Sequence, residues 1–83
     1  MPLILGRGKT MNTLELRAER ARHGYTGADM ANMLGLGHRQ SYYLKENGKV
    51  SFSVEQIITI AERFDLPIGR INQIFFDGKL PNG

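Results

Sequence analysis

Cysteine is absent from the 83-residue chain, and histidine occurs only twice, at His23 and His38. Without a thiol there is no disulfide framework and no thiolate nucleophile, and two histidines this far apart offer no zinc-ligand spacing. No metal and no cofactor are therefore expected, in a reducing compartment for which the cytoplasm is the default. Long apolar runs are missing as well. The longest, at residues 3–5 and 74–76, fall far short of the roughly 18 residues that span a bilayer, so no membrane partner is expected. The first of them is also too short for the apolar region of about 7 to 15 residues in a secretory signal. There is no Gly-rich phosphate loop and no assignable Ser/His/Asp set, so an enzyme is not expected.

What the chain has is a modest surplus of positive charge, +3 overall, unevenly spread. Residues 1–11 contribute +2 through Arg7 and Lys9, residues 12–49 another +2, and residues 50–83 come to −1. A basic first half suggests an anionic partner met there, with a structural or protein-facing second half. The length fits one small domain with one modest core.

Residues 1–11 hold Pro2, Gly6 and Gly8 and show no sustained periodicity. They read as a flexible N-terminal arm or tag-like extension, and Met11 as a possible second start. Regular signals begin at Asn12, which with Glu15 forms an N-cap pair for a helix over 13–23, closed at Gly24. Thr26 with Asp29 caps a second helix over 27–34, stopped at Gly35. The polar stretch 39–46, ended by Asn47-Gly48, is the third. Ser53 with Gln56 opens a fourth over 54–64, whose Val54, Ile57, Ile58, Ala61 and Phe64 recur on one face and read as its core side. Asp65-Leu66-Pro67 ends it, since the residue before proline leaves the α region. A fifth helix over 68–75 shows Ile68, Ile71, Ile74 and Phe75 on one side. Residues 77–83 read as a flexible tail. No strand and no repeat is legible, so the expectation is an all-α domain over 12–76.

Helices 2 and 3 form a helical hairpin around a glycine-containing turn. Met30, Ala31, Leu34, Leu36 and Tyr42 make a shared interior, with Ala31 small enough for close, steep packing, while Arg39, Gln40, Tyr43 and Leu44 face outward. Tyr25-Thr26, Asp29-Met30-Ala31, Met33-Leu34-Gly35-Leu36, Arg39-Gln40-Ser41-Tyr42 and Lys45-Glu46-Asn47-Gly48-Lys49 together resemble the Xre or lambda-repressor/Cro-like helix-turn-helix family. Residues 60–64 and 71–76 look like the fourth and fifth helices of its small phage-encoded members. The resemblance covers about residues 14–76 and implies a compact five-helix lambda-repressor-like DNA-binding domain, with the helix-turn-helix at helices 2 and 3. It further implies a dimeric transcriptional regulator with a recognition helix, about 38–46, in the major groove. Two departures stand out: Gly27 occupies the position where the family pattern usually has a glutamine, and the Leu36-Gly37-His38 turn is one residue longer, with Gly37 as the insertion.

Against that frame the candidate residues fall into groups. Arg39 can donate twice to guanine and Gln40 can pair with adenine, so both are expected to read bases, as is Tyr43 through its hydroxyl. Thr26, Ser41, Lys45, Asn47 and Lys49 are expected to contact phosphates, which set register without reading sequence. The resemblance places Arg20 against Glu46 as a structural ion pair. Ile71, Phe75 and Phe76 are candidates for a dimer or partner surface, although Ile71 and Phe75 suit the core better. The expected function is a sequence-specific regulator of the Cro or repressor type, binding a double-stranded DNA operator as a homodimer. The alternative is a modulator or antirepressor on the same fold that captures another phage repressor and binds DNA weakly.

Overall fold

Local hydrogen bonding decides where each helix begins and ends. In a computed structural model that describes residues 11–78, α1 spans Thr13–Arg22, α2 Gly27–Met33, α3 Arg39–Glu46, α4 Val54–Arg63 and α5 Ile68–Phe75. Among the described residues there is no strand. The Asn12 side chain accepts from the Glu15 N–H at 3.1 Å, and Thr26/Asp29 and Ser53/Gln56 form reciprocal capping boxes that satisfy the first free N–H groups of α2 and α4. The three expected N-terminal caps are thus present, while α1, α2 and α4 each stop one residue earlier than the periodicity indicates.

Four of the five helices terminate in the same way. After α1, the Gly24 N–H donates to Ala21 O and the Tyr25 N–H to Arg20 O, a Schellman turn that requires a left-handed residue; Gly24 supplies it at φ 74°. Gly35 and Gly48 do the same after α2 and α3. After α4 the paired bonds Asp65 N–H to Glu62 O and Leu66 N–H to Ala61 O form around Asp65 at φ 53°, where a side chain is strained. The end of α4 is therefore a left-handed cap at Asp65, not only the effect of Pro67.

All five helices feed one core: Leu16, Met30, Tyr42, Ile60 and Ile74 are wholly buried, with Ala31, Phe64 and Phe75 nearly so. The α2–α3 hairpin packs most extensively, and α1 bridges to α3 and α5. Of the expected hairpin interior, Met30, Ala31 and Tyr42 are buried, and Leu34 and Leu36 are half-buried against the core.

The core faces of α4 and α5 differ from those read by periodicity. Ile60, outside the expected stripe, is wholly buried, while Val54 and Ile58 are 72% and 49% exposed. The helix turns Ile57, Ile60, Ala61 and Phe64 inward, leaving Val54 and Ile58 on an adjoining outward strip. On α5, Ile74 and Phe75 are buried, but Ile68 is 79% exposed. Both helices carry more apolar surface than the core consumes.

At the chain ends, Met11 is partly buried against the core and the Asn12 N–H donates to Ile74 O at 2.7 Å, so Met11 belongs to the packed body. The remainder of the expected arm, residues 1–10, and of the expected tail, residues 79–83, lies outside the described residues. No described helix is long and apolar enough to cross a membrane.

Candidate nucleic-acid interface

The outward side of α3 is set by what its inward side must hold. Tyr42 and Glu46, one turn apart, are buried, and the Tyr42 O–H donates to Glu46 Oε2 at 3.0 Å. Arg20 of α1 closes on the same carboxylate, with Nε 2.7 Å from Oε2 and Nη2 3.4 Å from Oε1, and its Nη1 donates to Tyr25 O at 3.0 Å. The bond to Glu46 raises the Arg20 pKa further, and burial followed by the Glu46 charge pushes the Tyr42 phenol well up. A buried carboxylate held by a fork of donors fixes the rotation of α3 about its axis. Arg20 and Glu46 are therefore brought together, as the resemblance implies.

With Tyr42 and Glu46 inward, Arg39 and Gln40 stand exposed at the N-terminal end of α3, and Leu44, one turn after Gln40, is 46% exposed on the same side. This end has no acidic residue in its first turn, and His38 precedes it without a side-chain cap. Positive helix-end dipole and Arg39 thus act together, an arrangement suited to an anionic surface.

The other expected contacts are placed less uniformly. Lys49 is exposed, and Asn47, also exposed, accepts a 3.3 Å bond from Arg17. Lys45 is committed within the fold, its ammonium donating to Ser51 O at 2.8 Å and lying 5.9 Å from the Phe52 ring centre. Ser41 is half-buried. Thr26 is exposed, but its Oγ1 accepts from the Asp29 N–H and its own N–H donates to the Asp29 carboxylate at 2.8 Å. Those bonds, the backbone one foremost, hold the Asp29 carboxyl below its usual value, placing a negative charge at the start of α2.

Tyr43 differs from its expected role. Its ring is half-buried and lies against Gly27, where an added Cβ would collide with the ring's Cζ and Oη, and the Arg20 guanidinium sits 5.8 Å from its centre. Gly27 and the tyrosine are two halves of one packing solution: only glycine at 27 leaves room for this ring. Tyr43 is a clamp between α2 and α3 in this geometry rather than a side chain reaching away from the body. The surface candidates also divide. Phe75 is a core residue, and Ile71 and Phe76 are half-buried against the core.

A second ionic cluster has no counterpart in the sequence reading. Glu19 is buried on α1 and receives Arg70 Nε at 2.8 Å, Arg22 Nη1 at 2.8 Å and His23 Nε2 at 3.0 Å, while Arg70 Nη1 reaches Glu15 at 2.7 Å. Burial alone would raise the Glu19 pKa, but the bonds from Arg70 and His23 and the neighbouring arginine charges bring it below its ordinary value of 4.5. This cluster ties α5 to α1, and Arg70 is separated from it by too much sequence for spacing to reveal it.

Comparison with protein-family models, curated proteins and solved structures found no match to this chain. The described residues define a small five-helix domain.

Proposed function

We propose that this protein is a sequence-specific double-stranded DNA-binding regulator of transcription that reads an operator through α3. The observation that carries the reading is the exposed pair Arg39 and Gln40 at the basic, uncapped end of a helix whose opposite face is locked by the Arg20–Glu46–Tyr42 cluster. Recognition needs side chains with bidentate donor and acceptor geometry on a helix that cannot roll. Lys49 and Asn47, exposed at the far end of α3, supply phosphate contacts, and occupation of the operator blocks or modulates the promoter. The absence of an assignable reaction centre in the sequence agrees with a binding protein rather than an enzyme.

The test is selection of duplexes from a random library, repeated with Arg39→Ala and Gln40→Ala. Each variant relaxes preference at one base pair, with about 1–3 kcal/mol lost there. Selected sequences that do not change with either substitution would refute the assignment.

The ionised Asp29 beside Thr26 favours a second reading, since it opposes a phosphate at the start of α2. On that reading the chain is a modulator that captures another repressor and binds DNA weakly itself. Failure of the library to yield any preferred sequence, together with binding erased by salt, selects it.

A further inference from the structure

Three side chains of α3 are exposed, Arg39, Gln40 and Leu44, and the first two suit hydrogen bonding to base edges. Leu44 does not. It has no donor or acceptor, it is 46% exposed, and it stands where the helix points most directly away from the body. Tyr42 and Glu46, the buried pair that locks α3, are each two residues from Leu44. At about 3.6 residues per turn, both lie about 160° round the helix axis from it. A lone exposed leucine is ordinary on a protein surface. This one shares a strip with Gln40, one turn earlier, and is flanked by the exposed cations Arg39 and Lys49, while the one acid of α3, Glu46, is buried on Arg20. The Lys49 and Val50 N–H groups both donate to the Leu44 carbonyl, at 2.9 and 3.2 Å, so the turn that carries Lys49 is anchored on the leucine's own backbone.

We infer that Leu44 reads thymine, its side chain packing on the C5-methyl group of one base in the operator. The inference rests on the reading of α3 as the recognition helix and adds to it a base that hydrogen bonds alone do not select. Arg39 and Gln40 use the donors and acceptors of the base edges, and the apolar group that a base pair presents in the major groove is the thymine methyl. The flanking cations decide between DNA and an apolar protein surface as the cover for this leucine. Burying Leu44 against a protein would draw Arg39 and Lys49 out of water with no phosphates to meet them, whereas a duplex supplies both the methyl and the phosphates. Position follows from helix geometry. Leu44 is about 6 Å along the axis from Gln40, less than two base-pair steps of roughly 3.4 Å, so its thymine lies within about two base pairs of the pair that Gln40 reads.

The experiment takes the duplex selected by the wild type and replaces its thymines by uracil one at a time, which removes the methyl and leaves every hydrogen-bonding atom in place. The affinity of the full chain and of Leu44→Ala is measured for each duplex. The position is exposed and alanine favours the helix, so circular dichroism and melting of the variant should stay near wild type. For the wild type, one thymine within about two base pairs of the Gln40 pair is expected to cost roughly fourfold in affinity on replacement, the worth of one methyl group withdrawn from water. Leu44→Ala is expected to lose at least as much on the unmodified duplex and almost nothing further when that thymine becomes uracil, while other thymines behave alike with both proteins. Uracil penalties that are equal for the two proteins at every thymine, or a selected duplex with no thymine in that span, would overturn the role of Leu44 and leave base reading by Arg39 and Gln40 intact. A wild type that selects no duplex would overturn both, and the selection step itself tells the two failures apart.

Discussion

Replacing Arg20 by methionine tests how α3 is held. Glu46 is 1% exposed and takes three hydrogen bonds: two from Arg20 and one from the Tyr42 hydroxyl. Arg20→Met leaves a buried carboxylate with the phenol and with Arg17, whose Nε is 3.8 Å away. Removing one partner of such a pair costs about 3–5 kcal/mol, and half-exposed Arg17 can move inward, which points to about 3 kcal/mol. A domain of this size has a total stability of roughly 4–10 kcal/mol, so the loss is a large share of it. In melting temperature it corresponds to about 12–24 °C, at roughly 4–8 °C per kcal/mol. Urea denaturation of the wild type, Arg20→Met, Glu46→Gln and the double variant separates charge from packing. The double variant should recover at least about 1 kcal/mol relative to additivity, because the stranded charge is gone. A loss below about 1 kcal/mol for Arg20→Met would refute the reasoning, and strict additivity would assign the effect to the arginine stem instead.

Acid should destabilise the domain through Glu19. Its folded pKa lies below the ordinary 4.5, so its contribution is fully present above that value and is lost as pH falls through the folded pKa; Glu19→Gln should flatten the acid limb of stability against pH, and an unchanged limb would refute this. Gly27→Ala should displace the Tyr43 ring and cost about 1 kcal/mol, most of it relieved when Tyr43→Ala is added; equal cost in both backgrounds would show that the ring is not the obstacle. Asp65→Gly should raise stability by up to about 1 kcal/mol in thermal melts, since the left-handed cap strains an aspartate, and destabilisation would contradict the cap assignment. Lys49→Ala should weaken binding to all DNA sequences alike and lower the salt slope by about one unit; an unchanged slope would remove Lys49 from the phosphate contacts.

The helices were legible in the sequence because their start signals are local: Asn12, Thr26 and Ser53 each bond to an N–H three residues on, and such pairs leave a fixed spacing. Periodicity served less well on α4 and α5. A helix with two apolar strips satisfies the same pattern whichever strip turns inward, and only the shared core of the folded domain makes Ile60 rather than Val54 or Ile58 the buried one. The Arg70–Glu19 cluster was hidden for another reason, that its partners are 51 residues apart. At the candidate interface, exposure of Arg39 and Gln40 could be inferred from the inward position of Tyr42. The role of Tyr43 could not, because it depends on a contact with Gly27 across the hairpin.

The most direct test of the central claim is a competition titration of the full chain against duplex DNA from upstream of its own gene, with shuffled duplex as competitor, at two salt concentrations. The account predicts a preference of roughly a thousandfold or more that persists at the higher salt and falls in Arg39→Ala and Gln40→Ala. Equal affinity for native and shuffled duplex, vanishing together as salt rises, would contradict it.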